Sequence, residues 1–200
     1  SARDLPECKI SDRKKLDFKF KNKYHQGIIV ECTKLKNQNL NEALKEYNST
    51  ILILDSLTDS QNVGAIVRSA YLFGISLVIY NENNSFDINP ALIKSAAGAY
   101  EKIKMIKVNN INNIISFLKG KGYWIIGLDA KSKCDLSTIR KDIKKVIILG
   151  SESRGIRKLI KSNCDYLIKI PMKNDSELID SLNVSNAASI IFYSILNNSE

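Results

Sequence analysis

Short apolar runs alternate with longer, helically spaced segments from residue 51 to the carboxyl terminus. Runs rich in isoleucine and valine predict strands at 51–55, 75–80, 102–106, 123–129, 145–150 and 166–170. Apolar residues that recur every three or four positions predict helices at about 62–73, 90–98, 111–121, 154–163 and 183–197. This alternation predicts an α/β fold with a mainly parallel sheet and helices on both faces.

The first part of the chain lacks this alternation. Residues 1–24 are charged and poorly periodic, which predicts a flexible arm or the end of a further domain. Residues 25–50 are expected to form a linker, and residues 51–200 the principal domain.

Composition limits the class of protein. At 200 residues, 44% of them hydrophobic, the chain can bury one sizeable core. No apolar run approaches the roughly 18 residues of a membrane-spanning helix, and residues 1–24 lack a signal-peptide centre, so we expect a cytoplasmic protein without a membrane segment. The four cysteines are far apart and form no Cys-x-x-Cys pair, and His25 is the only histidine. This pattern predicts reduced thiols and no metal site.

The formal net charge of +9 suggests a polyanionic partner, although a general preference for lysine would give the same total. One group of basic residues lies near the amino terminus: Lys14, Lys15, Lys19, Lys21 and Lys23. A second group brackets the segment 146–156: Lys141, Lys144, Lys145, Arg154, Arg157, Lys158 and Lys161. Basic residues around a predicted pocket favour a phosphate-bearing substrate such as nucleic acid.

Two predicted strands near the carboxyl terminus end abruptly at small or rigid residues. The run 146–148 stops at Gly150, and the run 168–170 stops at Pro171. Ligands bind beyond the carboxyl ends of buried parallel strands, so polar residues that follow these strands are expected to converge on a crevice. They are Glu152, Ser181 and Asn183.

A third segment with candidate chemistry follows the first strand. A polar loop leads to Asn62 and Gly64, where a helix begins with an apolar stripe of Val63, Ile66, Val67 and Ala70. At about 100° per residue, Arg68 lies opposite that stripe and outside the core. A capped helix with a solvated arginine would explain the same pattern.

Other nucleotide-binding and hydrolytic motifs fit poorly. The segment from Gly150 to Gly155 has the glycine spacing of a P-loop, but Ile156 and Arg157 stand where lysine and serine or threonine should follow. No Gly-x-Gly-x-x-Gly follows any predicted strand. A serine hydrolase would need His25, which lies outside the alternating region.

Together the three segments resemble the motifs of the SpoU (TrmH-type) RNA ribose 2′-O-methyltransferases of the SPOUT superfamily, over residues 24–196. The first motif corresponds to residues 62–65 with Arg68 and residues 73–74, and the second to 149–152 with 155–156. The third corresponds to 170–172 with 181–185 and 187–188. Residues 25–28 resemble the segment that links an RNA-binding domain to the catalytic domain in members that modify ribosomal RNA. Residues 1–24 would then be the remnant of such a domain.

The resemblance implies a fold, a reaction and an assembly. The fold would contain a carboxyl-terminal trefoil knot. The reaction would be S-adenosylmethionine-dependent 2′-O-methylation of RNA, with a guanosine of 23S ribosomal RNA as the leading substrate. A transfer-RNA methyltransferase and a non-catalytic RNA-binding relative are the alternatives. The assembly would be a homodimer, with an interface on the last helix through Ala187, Ala188, Ile191 and Ile195.

The resemblance also implies roles for particular residues. The residues expected to contact the cofactor are Leu128, Gly150, Ile170, Met172 and Leu182. The residues expected to act in catalysis are Arg68, Asn62, Glu152, Ser181 and Asn183. Because arginine is a poor base, Arg68 is expected to bind a phosphate and orient the ribose hydroxyl. One departure from the family is a long loop at 173–180, which carries Asp175, Glu177 and Asp180 beside the expected RNA site.

Overall fold

A computed structural model describes residues 8–21, 25, 27–31, 33, 35, 39–46, 50–83, 85–139, 143–173 and 181–197. The predictions for Lys23, Gln26, Lys141 and the acidic loop residues Asp175, Glu177 and Asp180 lie outside these residues. The chain divides into two units, Ser1–Leu35 and Lys36–Glu200.

The first unit contains one helix, α1 (Arg13–Lys19), among its described residues. Asp12 caps it, because its carboxylate accepts a hydrogen bond from Lys14 N at 3.3 Å. His25 Nε2 lies 3.0 Å from Asp17 Oδ1. The sequence pattern predicted no helix within 1–24, since α1 buries no residue and so has no apolar stripe to reveal it. Residues 13–19 are therefore helical, and the arm or domain remnant expected for residues 1–24 stays a prediction.

The described residues of the second unit form a seven-stranded parallel sheet with the order β3-β2-β1-β6-β4-β7-β5. The strands are β1 (Thr50–Asp55), β2 (Leu77–Asn81), β3 (Lys104–Val108), β4 (Trp124–Leu128), β5 (Cys134–Asp135), β6 (Lys145–Gly150) and β7 (Tyr166–Lys169). The helices are α2 (Leu40–Glu46), α3 (Ser60–Leu72), α4 (Pro90–Ala96), α5 (Ile111–Gly120), α6 (Lys158–Ser162) and α7 (Val184–Asn197). A short 3₁₀ turn spans Leu136–Thr138.

Helices cover both faces of the sheet, which confirms the predicted α/β class. Successive residues of β1 point to opposite sides, so Ile51 and Ile53 join one apolar cluster while Leu52 and Leu54 join the other. The cluster of Leu52 includes residues of α3, α4 and α7, and the cluster of Ile51 includes residues of α2, α5 and α6. The central strands are buried on both sides, which explains why they appear as unbroken apolar runs.

Side-chain caps determine where three of these helices begin. Asp59 accepts from Gln61 N before α3, Asn89 accepts from Ala91 N before α4, and Asn110 accepts from Asn112 N before α5. Gly64 allows α3 and α4 to pack closely, because a Cβ at this position would lie 2.4 Å from Leu92 O.

Three further elements differ from the predictions. Strand β5 has two residues, too few to show a pattern, and α2 lies within the predicted linker although its Ala43 is buried in the core. Helix α6 begins at Lys158 and not at 154, because the preceding residues form a tight loop.

None of the helices in the described ranges is both long and apolar enough to cross a bilayer. The trefoil knot stays a prediction.

Candidate active site

A cavity of about 320 Å³ opens beyond the carboxyl ends of β4, β6 and β7. All five residues predicted to contact the cofactor line it: Leu128, Gly150, Ile170, Met172 and Leu182. Glu152 and Ser181 line it as well. Since these residues come from three separate segments, the cavity lies where parallel strands of an open sheet are expected to hold a ligand.

The loop after β6 folds back tightly against the strand end. Gly155 N donates to Ser151 O at 2.8 Å, and Gly155 adopts a φ of +64°, which favours glycine. A Cβ on Gly150 would lie 2.2 Å from both Gly155 C and Ile156 N, so only glycine fits here without displacing the loop. This loop forms one wall of the cavity.

Three predicted catalytic residues form one hydrogen-bonded network. Asn62 Nδ2 donates to Glu152 Oε1 at 2.5 Å. Asn183 Nδ2 donates to Asn62 Oδ1 at 3.1 Å and to Glu152 Oε1 at 3.3 Å. The network joins the start of α3, the loop after β6 and the start of α7, which are the three segments that the sequence singled out.

Neighbouring residues fix the orientation of both amides. Asn62 Nδ2 also donates to Asp59 Oδ2 at 3.2 Å, which occupies its second N–H. Asn183 Oδ1 accepts from Ser185 N at 2.9 Å and from Ser185 Oγ at 2.6 Å, so its NH₂ group must face Glu152. Both amide contacts to Glu152 use Oε1.

A second, smaller cavity of about 120 Å³ lies beside the first. Its polar lining includes Thr58, Asp59 and Asn62, and it shares Glu152 with the larger cavity. Glu152 therefore lies between two spaces that could hold two reactants.

Arg68 is the predicted catalytic residue that lies outside both the network and the cavities. It lies on the exposed side of α3, and its side chain forms no hydrogen bond or ion pair with another described residue. Its position opposite the buried stripe agrees with the predicted helical phase.

Sequence reasoning missed Asp59 and Asp55, and it identified Arg157 only as one of the basic residues around the pocket. Asp59 both caps α3 and holds Asn62, and its position just before the helix was the available signal. Asp55 and Arg157 form an ion pair next to the loop after β6, with 2.7 Å between Asp55 Oδ1 and Arg157 Nε. The only sequence signal for Asp55 was its position at the end of a predicted strand.

The cysteines contribute no evident reactive group among the described residues. Burial raises the pKa of the Cys164 thiol to about 12, with a smaller contribution from the Asp165 carboxylate, so the thiol stays protonated at neutral pH. Cys8 and Cys134 are exposed free thiols. No group of three potential metal ligands occurs within the part of the chain that the structure describes.

The last helix carries a correction to the predicted interface. Ala187, Ala188, Ile191 and Ile195 are at most 7% exposed and pack in the chain's own core. The apolar residues that remain exposed on α3 and α7 form what we call the α3–α7 patch: Tyr71, Leu72, Ile190, Tyr193 and Leu196. The two helices are joined by a 2.9 Å hydrogen bond between the Ser69 and Ser189 hydroxyls, and by an edge-to-face contact of Phe73 with Tyr193.

Comparison with known proteins gives one family. The model of the SpoU rRNA methylase family matches residues 49–193. An uncharacterised tRNA/rRNA methyltransferase of Borreliella burgdorferi is 40% identical over 192 residues, covering 90% of this chain and 82% of the relative. A putative TrmH family tRNA/rRNA methyltransferase of Staphylococcus aureus is 34% identical over 188 residues, covering 92% and 74%.

A solved structure shares the fold. The SpoU methyltransferase AviRb from Streptomyces viridochromogenes, crystallised with the cofactor AdoMet, superposes with a TM-score of 0.74 at 22% identity. The superposition covers 82% of this chain and 66% of AviRb.

Proposed function

This chain belongs to the SpoU rRNA methylase family, and on that premise we propose that it transfers a methyl group from S-adenosylmethionine to a ribose 2′-oxygen of RNA. The observation that carries the proposal is the Asn62–Glu152–Asn183 network, which lies where the two cavities meet. A transferase for two substrates needs polar groups that reach both.

The larger cavity fits S-adenosylmethionine in its chemistry. Leu128, Ile170 and Leu182 give it apolar walls for the adenine ring, and Gly150 lets main-chain groups approach closely. Lys131 and Arg154 supply positive charge for a carboxylate, and Glu152 supplies negative charge for cationic groups. When bound, the cofactor would supply a methyl group that its sulfonium has already activated.

The smaller cavity is assigned to the target ribose. Glu152 Oε2 would accept a hydrogen bond from a ribose hydroxyl, while Asn62 and Asn183 hold the carboxylate in place. The 2′-hydroxyl must also lose its proton, and a guanidinium, which is already protonated, does not accept it. We therefore assign Arg68 to binding the adjacent phosphate and orienting the hydroxyl, with the proton passing to that phosphate or to water.

A homodimer would complete this arrangement. Leu72 and Arg68 are four residues apart and lie on one side of α3, so a partner that covers the α3–α7 patch would lie beside Arg68. An exposed apolar patch on two packed helices is typical of an interface. The partner copy could then bring its own cavities close to Arg68.

We propose ribosomal RNA as the substrate, with a guanosine of 23S RNA as the leading target. The enzyme is proposed to act in the cytoplasm. The support is the net charge of +9 and the resemblance of residues 25–28 to the family's linker. The basic helix α1 could add phosphate and base contacts, since Phe18 is 72% exposed and Lys21 Nζ lies 4.5 Å from the centre of its ring. Transfer RNA is the second candidate, because the relatives' names include both classes.

A labelling experiment separates these candidates. The 200-residue chain is incubated with S-adenosylmethionine carrying a deuterated methyl group and with either 23S ribosomal RNA or total transfer RNA. Label in the ribosomal RNA supports the leading proposal, and label confined to transfer RNA supports the second. If the chain binds S-adenosylmethionine and RNA but labels neither, it is a non-catalytic relative.

A further inference from the structure

Asp55 is a fully buried carboxylate at the carboxyl end of β1, and the proposed reaction assigns it no role. Its two oxygens accept three hydrogen bonds. Oδ2 accepts from Arg157 N at 2.9 Å, and Oδ1 accepts from Arg157 Nε at 2.7 Å and from Ser56 Oγ at 3.2 Å. Two of the three come from one residue, Arg157.

Asp55 is connected to both ends of the loop that follows β6. In the sheet, Asp55 pairs with Gly150, where the loop begins. Through its side chain it binds Arg157, where the loop ends. The loop between these points is closed by the bond from Gly155 N to Ser151 O.

This loop carries the parts of the proposed site that must be placed most accurately. Residues 150–155 line the larger cavity, and Glu152 reaches across to Asn62. A displacement of the loop would move the cavity wall and the carboxylate together, because both belong to the same short segment.

We propose that Asp55 is a positioning residue, and that its bidentate contact with Arg157 sets the loop 151–156 in the geometry that binds S-adenosylmethionine. This inference rests on the proposed function of the cavity. The Arg157 side chain is 46% exposed, so the pair fastens a surface loop to a strand end and adds little apolar packing of its own. A carboxylate is required, since one group must accept from the backbone N–H and from the guanidinium at once.

Asp55→Asn tests the requirement with almost no change in size. Its amide oxygen can accept from one donor of Arg157, while its NH₂ group cannot accept from the other. Arg157→Lys keeps the backbone N–H and the positive charge but loses the planar geometry. The matched control is Lys119→Met, which breaks the 2.6 Å pair of Lys119 with Asp165 away from both cavities.

Two measurements on the full chain are compared. Calorimetry at a temperature well below unfolding gives the Kd for S-adenosylmethionine. Hydrogen exchange without cofactor reports local opening of the loop through the amides of Gly155 and Arg157.

Asp55→Asn is expected to raise the Kd at least ~10-fold and to speed exchange at these two amides, without change in the β1–β6 ladder. Arg157→Lys should fall between this variant and the wild type. Lys119→Met should lower the melting temperature without changing the Kd. If Asp55→Asn binds and exchanges like the wild type, or if exchange rises equally throughout the sheet, Asp55 has no positioning role.

The two measurements also separate this inference from the proposed function. A wild-type chain that does not bind S-adenosylmethionine contradicts the proposed cofactor. The exchange comparison needs no cofactor, and it then decides alone whether Asp55 holds the loop.

Discussion

Asn62 Nδ2 donates a 2.5 Å hydrogen bond to Glu152 Oε1, although the two residues are 90 positions apart in the chain. One lies at the start of a helix and the other in a loop after a buried strand, on opposite sides of a crevice. Because Asn62 also binds Asp59, its amide cannot rotate without losing both contacts. The pair therefore fixes the position of Glu152, which lines both cavities.

Replacement of Asn62 tests the network. Asn62→Ala removes both donors to Glu152 and Asp59, so the carboxylate loses its fixed position, and methyl transfer to RNA should fall at least ~100-fold. The Kd for S-adenosylmethionine should change by less than about threefold, because Asn62 does not line the larger cavity. The control is Gln61→Ala, an exposed neighbour whose backbone contacts remain. Equal turnover of the two variants would contradict a role for the network.

Arg68→Ala separates binding from chemistry. Methyl transfer should fall by at least ~100-fold while cofactor affinity stays nearly unchanged, since Arg68 lines neither cavity. Single-turnover rates and calorimetry on the same preparation give both quantities. Substantial residual transfer would remove Arg68 from the mechanism.

Two glycine-to-alanine substitutions are expected to act differently, one on cofactor binding and the other on the stability of the fold. Gly150→Ala places a Cβ 2.2 Å from the loop backbone, so the loop must shift and cofactor binding should be lost. Gly120→Ala, at the end of α5, has no atom within 4 Å and should stabilise the fold by about 0.5–1 kcal/mol. Thermal unfolding and calorimetry provide the readouts. Normal cofactor binding by Gly150→Ala would place the cofactor elsewhere.

The assembly can be tested on the α3–α7 patch. Light scattering should give twice the chain mass of 22.5 kDa for the wild type. Leu72→Asp should give a folded monomer, because Leu72 is 69% exposed and its replacement charges the proposed interface. Leu159→Asp changes a residue that is 64% exposed on α6 and should leave the dimer intact. A wild-type monomer at micromolar concentration contradicts the homodimer.

Much of the fold could be predicted because its central strands are buried on both faces. Such strands appear as apolar runs, and their carboxyl ends indicate where polar residues will meet. Glu152 and Asn183 were found in this way, and the structure joins them to Asn62. The hydrogen-bonding partner of each amide could not be predicted, since it depends on how α3 and α7 pack together.

The incorrect predictions arose where apolar spacing carries too little information. Helix α7 is apolar on nearly all sides, so the pattern could not tell its core face, with Ala188 and Ile191, from its exposed face, with Ile190 and Tyr193. Helix α1 buries no residue, so its sequence carries no apolar stripe that would mark it as a helix. Polar contacts such as that of Asp55 with Arg157 join residues 102 positions apart and leave no local signal.

The position of the transferred methyl group tests the central proposal most directly. RNA methylated by this chain is hydrolysed with alkali and analysed by mass spectrometry. A ribose that carries a 2′-O-methyl group has no free hydroxyl to attack the adjacent phosphate, so the proposal predicts labelled dinucleotides that resist cleavage. Label that appears instead in single nucleotides, with the methyl group on a base, would contradict 2′-O-methylation by this site.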